Sequence, residues 1–414
     1  SEATLATLAG STGIGHTRYS TTGSTRWENA QPTFKPTARG GGVALAHNGN
    51  LTNTSSLAGR VKRRAGKSPH ATTDTDLVAD LIAEHADRMP MEDALREVMT
   101  ELTGAYAFVA MDERTVYGMR DPNAIRPLSI GRLPGGGWVL ASETCALDIV
   151  GAAYVRDVEP GELVAVDDRG LRSWIFAPPD PKLCIFEFVY LARPDSLLYE
   201  RSVHEVRREL GRTLAKEAPA DADLVIGVPD TGPVAAAGFA EASGIHYGEG
   251  IVKNRYVGRT FIQPTQTIRQ LGIRLKMNPL RSAIKGKRLI VVDDSIVRGN
   301  TTRNLVAMLR EAGATEVHLR ITSPPVRWPC FYGIDMATKA ELIASDLAID
   351  EIRGFVGADS LAYLSLEGLV AATGTEKDRF CRACFDGIYP VEVPTQDDVS
   401  HKFVLEAREP NPQP

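Results

Sequence analysis

The apolar positions along the chain follow two different rhythms. In the first part, short β-rich runs at 43–46, 106–111, 116–119, 138–141 and 163–166 are separated by turn residues and predict strands. Two segments among them, 76–86 and 92–102, repeat apolar residues at helical spacing and predict amphipathic helices. The second part begins after Ala177-Pro-Pro-Asp-Pro181, the clearest linker in the chain. There, strands predicted at 224–228, 289–292 and 317–321 alternate with helices at 233–242 and 301–312. This alternation predicts a parallel sheet with helices on both faces. The expected fold is therefore α+β followed by α/β. A β-rich layered domain covers 1–176, a linker 177–183, an open-sheet domain 184–393 and a polar tail 394–414.

Composition narrows the field. The 414 residues suffice for two domains with full cores. Charge is near balance, with 47 basic and 52 acidic residues, so neither nucleic acid nor a membrane surface is an expected partner. No apolar run approaches the ~18 residues of a membrane span. Five cysteines, Cys145, Cys184, Cys330, Cys381 and Cys384, are too few and too scattered for a disulfide scaffold. They fit a cytoplasmic protein with one metal or cluster site.

The stretch from Leu289 to Thr302 concentrates candidate chemistry. Four apolar β-formers precede Asp293-Asp294, followed by Ser295, Arg298, Gly299, Asn300, Thr301 and Thr302, then an apolar helical repeat ending at Gly313. A strand–loop–helix unit of this kind gathers backbone N–H groups and hydroxyls into an anion cradle. The acids fall where a ribose or a magnesium ion would lie, at the carboxyl edge of the sheet. The plainer reading is that two acids end a strand and cap a turn. The full string is similar to the signature of type I phosphoribosyltransferases. By that resemblance Asp293 and Asp294 hold the ribose hydroxyls of 5-phosphoribosyl-1-pyrophosphate (PRPP), directly or through Mg2+, and Ser295 to Thr302 hold its 5′-phosphate.

The first half carries its own motifs. Gly13-Ile-Gly-His-Thr-Arg-Tyr-Ser-Thr-Thr-Gly23, His47-Asn-Gly-Asn50 and Thr72-Thr-Asp-Thr-Asp76 follow one another in order. Separately, Asn48-Gly49 suits a hairpin turn, Arg18 a surface ion pair and Asp74 a helix N-cap. Together they resemble the glutaminase domain of N-terminal-nucleophile amidotransferases. That resemblance implies that Arg18 clamps the glutamine carboxylate, Asp74 takes the α-ammonium, and Asn48 with the Gly49 N–H forms the oxyanion hole.

Both halves, roughly residues 13–389, resemble one family, the amidophosphoribosyltransferases. Gly227-Val-Pro-Asp-Thr-Gly-Pro233 looks like its pyrophosphate loop, with Asp230 and Thr231 meeting magnesium-pyrophosphate. Thr231 stands where Ser is usual, and Asn300 where Thr is commoner. The segment 252–262 is like the family's mobile loop, whose Lys253, Arg255 and Arg259 would meet the charges of PRPP. Cys184, Cys330, Cys381 and Cys384 match the ligand positions of the iron–sulfur branch. The resemblance thus implies a [4Fe–4S] cluster in a structural role, with zinc as the alternative. It also implies Mg2+, purine nucleotides as feedback inhibitors and a homotetramer.

The family's glutaminase nucleophile is an N-terminal cysteine, whereas residue 1 here is Ser1. A protein beginning at Ser1 is expected to use ammonia rather than glutamine. Two other functions share parts of this pattern. One is a PRPP-sensing regulator, which would need a DNA-binding module. The other is a different amidotransferase such as glucosamine-phosphate synthase, which would lack the Asp293-Asp294 string.

Overall fold

The computed structural model describes residues 10–18, 26–65, 72–254, 277–336 and 338–393. Ser1, the 19–23 part of the first motif, Arg255, Arg259 and the tail from 394 lie outside them.

The first domain is built on a six-stranded sheet in the order β1-β2-β3-β4-β8-β9. Its strands are β1 (Thr33–Pro36), β2 (Gly42–Leu51), β3 (Gly104–Met111), β4 (Val116–Arg120), β8 (Glu162–Asp167) and β9 (Gly170–Ile175), antiparallel throughout. Helices α1 (Thr54–Ala65), α2 (Asp74–Ala86) and α3 (Met91–Met99) bring apolar side chains to one face. Leu77, Leu81, Ile82, Leu95 and Val98 pack there with Val43, Leu45, Phe108 and Met119. The side chains of β3 alternate as a strand requires. Phe108 and Ala110 enter this core, whereas Ala107 meets Ile130 and Val158 on the opposite face. Ile130 and Val158 belong to a smaller layer around β5 (Ser129–Arg132), β6 (Trp138–Ala141) and β7 (Ala153–Asp157). Helix α4 (Thr144–Val150) precedes β7, and its Cys145 is buried, in keeping with a packing role. The predicted elements are present, mostly within two residues of their expected ends, but β2 runs five residues past Ala46 and the helix expected over 92–102 stops at Met99. β1, β5, β7, β9, α1 and α4 escaped the sequence reading, because β1, β5 and α4 are short and β7 and β9 are exposed or only half-buried, too brief or too polar for periodicity to mark them.

Past the linker, β10 (Leu183–Cys184) and the hairpin β11 (Leu197–Leu198) and β12 (Arg201–Ser202) lead into α5 (Val203–Glu217). The Ser202 side chain caps that helix by accepting from Glu205 N. A four-stranded parallel sheet follows, in the order β13-β16-β17-β18: Leu224–Gly227, Arg288–Asp293, Glu316–Ile321 and Ser360–Tyr363. The short antiparallel pair β14 (Ile251–Lys253) and β15 (Met277–Pro279) lies between β13 and β16 in the chain. Both faces of the sheet are covered. Val225, Ile290 and Val292 join a core with α5 and α6 (Gly232–Ser243). Leu224, Ile226, Leu289 and Val291 face α7 (Asn300–Glu311) and α8 (Ile349–Val356) on the other side. This explains the unbroken apolar runs.

Tyr247 forms a parallel bridge to Val225, on the side of β13 away from β16. Helix α6 therefore crosses outward over one face, while α7 crosses from β16 to β17 over the other. The direction of winding switches between β13 and β16, which opens a crevice at their carboxyl ends.

Candidate active sites

The crevice receives two loops. After β13, Val228 N donates to the Val292 carbonyl at 2.9 Å, and Gly232 N to the Val228 carbonyl at 2.9 Å. A Cβ on Gly232 would stand 2.5 Å from that same Val292 oxygen, so only glycine lets the loop approach β16 this closely. Thr231 is thereby set beside the acid pair: its Oγ1 donates to Asp294 Oδ1 at 2.7 Å. Ser295 Oγ donates to Asp294 Oδ2 at 2.6 Å. Burial and the adjacent Asp294 charge push the Asp293 carboxyl well up from the ordinary carboxylate range. Two crowded carboxylates are the arrangement that a divalent cation or a polyol relieves.

Gly299, at φ +73°, turns the chain into α7, which opens at Asn300. Asn300, Thr301 and Thr302 form the first helical turn, which opens one residue before the helix expected from 301, and Thr302 is buried. Their N–H groups belong to the helix end that attracts anions. Arg298 points elsewhere, its Nη2 donating to Glu341 Oε2 at 2.8 Å. Lys253 is paired with Asp230.

In the first domain, Asn48 and Gly49 lie inside β2, opposite Ala107 and Tyr106, so the hairpin alternative is excluded. Gly49 has φ +146°, and a Cβ there would overlap the Ala105 carbonyl oxygen. Asp74 is not the N-cap of α2. Thr73 is, its side chain accepting from Asp76 N. Asp74 instead faces β2 from the first turn, 4% exposed, accepting from Leu51 N at 3.2 Å and Thr75 N at 2.8 Å. Burial would raise its pKa, but His47, with Nδ1 at 3.5 Å, and these N–H groups hold it below the usual value. His16 Nε2 lies 3.0 Å from the His47 carbonyl oxygen, and the half-buried Arg18 follows two residues on.

The four cysteines of the sequence expectation line one pocket, with Ile125, Tyr332 and Tyr389. β10 and β19 (Phe380–Cys381) pair in parallel with Cys184 opposite Cys381, and Cys384 sits in the helical turn Ala383–Asp386. None is in a disulfide. Burial raises the thiol pKa at Cys184 and Cys384, and at Cys381 to about 12. Among the described residues, no three His, Cys, Asp or Glu side chains converge tightly enough for one metal ion. A tetrahedral zinc would draw its thiolates to about 4 Å from one another. A four-iron cluster places its own iron and sulfide between the thiolates, so the two groups ask for different spacings.

Sequence reasoning missed the Thr231–Asp294 hydrogen bond, the His47–Asp74 contact and the buried ion pair of Arg126 with Glu187. None carries a local signal, since each pair is joined only by the fold.

A layered glutaminase-type domain joined to an open parallel sheet with an acid pair at its switch point defines a two-domain amidotransferase. Residues 16–148 match the profile of the glutamine amidotransferase domain. The amidophosphoribosyltransferase of Mycobacterium tuberculosis is 59% identical over 404 residues, spanning 95% of this chain and 76% of that protein. The chain belongs to the amidophosphoribosyltransferase family. A solved structure described as the allosteric regulatory enzyme of purine biosynthesis superposes with a TM-score of 0.86 and 47% identity, covering 93% of this chain and 83% of that one. The glutamine PRPP amidotransferase of B. subtilis, complexed with ADP and GMP, superposes with a TM-score of 0.85 and 46% identity, covering 92% and 83%.

Proposed function

We propose that the protein catalyses glutamine-dependent amination of PRPP at C1, giving 5-phosphoribosylamine and pyrophosphate, the first step of de novo purine synthesis. The observation that carries this reading is the meeting of Thr231 with Asp294 across the β13–β16 crevice, within a chain so similar to amidophosphoribosyltransferases along its length. Asp293 and Asp294 position the ribose and Mg2+. Thr231, with Asp230, meets the metal-bound pyrophosphate, and Lys253 exchanges its Asp230 partner for phosphate charge. Ser295 and the amino end of α7, from Gly299 to Thr302, hold the 5′-phosphate. Ammonia attacks C1, the C1–O bond to pyrophosphate breaks, and the nitrogen sheds a proton.

In the glutaminase half, Arg18 receives the substrate carboxylate and Asp74 its ammonium. The Asn48 side chain and Gly49 N–H stabilise the charge that develops on the amide oxygen. Four free cysteines around one pocket favour a [4Fe–4S] cluster, held by Cys184, Cys330, Cys381 and Cys384, as a clamp between the linker and the C-terminal segment. Purine nucleotides act as regulators, by analogy with the ADP- and GMP-bound relative.

The test is pyrophosphate release with ammonium chloride or glutamine as nitrogen donor. Asp294→Asn should lower the rate with either donor by about tenfold or more, because a charged acceptor for metal and ribose is lost. Unchanged kinetics in PRPP would reject the assignment.

A further inference from the structure

The cysteine site and the oxyanion strand are distant in sequence and adjacent in the fold. Cys330 opens a segment that folds back on itself. Its N–H donates to the Met336 carbonyl at 3.0 Å, and Tyr332 N donates to Cys330 Sγ at 3.4 Å. The residues between reach into the first domain. Asn50 Nδ2 donates to the Phe331 carbonyl at 3.0 Å. Gly333, at φ +102°, lies directly against Gly49: a Cβ added there would stand 3.0 Å from both the carbonyl carbon and oxygen of Gly49.

Arg126 closes this arrangement. It is 4% exposed, and its Nε donates to the Tyr332 carbonyl at 3.2 Å. Its Nη1 donates to Glu187 Oε1 at 2.9 Å, and Nη2 would lie 3.1 Å from a Cβ on Gly333. The preceding residue, Ile125, lines the cysteine pocket, and its carbonyl accepts from Cys184 N at 3.0 Å. One guanidinium therefore touches the Cys330 segment, the turn that carries Glu187 and the neighbourhood of Gly49.

We infer that Arg126 is a positioning residue that locks the Cys330–Gly333 segment against the Asn48–Gly49 oxyanion strand, so that the integrity of the cysteine site governs glutamine use but not ammonia use. This rests on the glutaminase and cluster readings above and extends them. The physical reasons are burial and lack of slack. A buried guanidinium separated from its carboxylate leaves both charges unpaired, so the pair has few alternative positions. The Gly333–Gly49 contact has no room for displacement. Oxyanion donors act only at hydrogen-bonding distance, so a small shift of β2 is felt in catalysis. The PRPP crevice depends on Thr231, Asp293 and Asp294, and none of these contacts involves Arg126 or Gly333.

The experiment uses the full chain with two changes. One is Arg126→Met combined with Glu187→Gln, which removes the pair without stranding a buried charge. The other is Gly333→Ala, which presses on β2 directly. In both, the glutamine-dependent kcat should fall about tenfold or more while the ammonia-dependent rate and the PRPP KM stay within about threefold. Hydrogen exchange at amides 47–51 should quicken, and at 289–292 stay as in the wild type. Removing iron from the wild type with a chelator under reducing conditions should quicken exchange at 47–51 as well. Unaltered exchange at 47–51 in both variants, or equal loss with the two nitrogen donors, would overturn the inference. A wild type without iron removes the cluster reading alone, and one that never uses glutamine removes the glutaminase reading alone. The exchange comparison decides the role of Arg126 in either event.

Discussion

A single carboxylate, Asp74, meets two demands. It ties the start of α2 to β2 through Leu51 N, and it is the proposed partner of the substrate ammonium. Its pKa lies below the usual carboxylate value in the folded protein, because His47 and the backbone N–H groups outweigh burial. A depressed folded pKa contributes stability above the unfolded value of about 3.9, and that contribution is lost as pH falls through the lower folded value. Asp74→Asn should therefore cost about 1–3 kcal/mol at neutral pH, and the gap to wild type should narrow below about pH 4. Denaturant unfolding followed across pH measures this. A gap independent of pH would mean that the charge is not what matters. Asp293 works in the opposite direction: its raised pKa makes an ionised pair costly, a cost that the proposed metal or substrate would relieve.

At the scale of elements, the parallel pairing of β10 with β19 is a short link between distant parts of the chain. Two residue pairs, Leu183 with Phe380 and Cys184 with Cys381, are a small ladder. Two residues a side do not make an independently stable sheet, so the pairing leans on the core around Leu183 and Phe380 and, on the proposed reading, on a cluster held by the thiols. Cys381→Ser should remove the brown colour of protein purified without oxygen and lower its melting temperature, because metal binding is coupled to folding. Zinc in place of iron in the wild type would refute the cluster. β2 sets a different constraint. Gly49→Ala would drive a methyl group into the Ala105 carbonyl in the neighbouring strand. That should cost about 1–3 kcal/mol and weaken glutamine use, as read by thermal unfolding and glutamine hydrolysis.

For the whole molecule, the two chemistries sit in separate domains that share a core. Ala105 and Ile125 of the first domain belong to the same apolar cluster as Phe188, Val206 and Phe239 of the second. The domains are thus joined by more than the linker, yet the proposed catalytic groups are divided between them. Substitutions should separate accordingly. Arg18→Ala should abolish use of glutamine and spare the ammonia reaction to within about threefold, as only a carboxylate clamp for glutamine is lost. Asp294→Asn should suppress both. Rates measured side by side at raised pH, where free ammonia is abundant, decide this. Equal loss with both donors after Arg18→Ala would place Arg18 in folding rather than in substrate binding.

The sequence by itself determined the strongly apolar strands, the helices with a clear apolar repeat and the acid-pair motif, because these are local. Apolar runs of four to six residues mark buried strands wherever the chain lies, and Asp293-Asp294 followed by Ser295, Gly299 and Thr301 reads as a strand-to-helix turn. The linker at 177–181 was legible for the same reason, since proline and aspartate break regular structure without help from distant residues. Tertiary structure alone decided the rest. Asn48-Gly49 reads locally as a turn, but pairing with β3 draws it into a strand, with the missing Cβ of Gly49 serving close approach instead. Asp74 reads as a cap, but Thr73 takes that place and turns the carboxylate toward His47. Arg298, counted among phosphate ligands by its motif, is drawn away by Glu341. The Arg126–Glu187 pair left no trace in the pattern of residues. A buried charge is tolerable only beside its partner, and residues 61 positions apart are brought together only by packing.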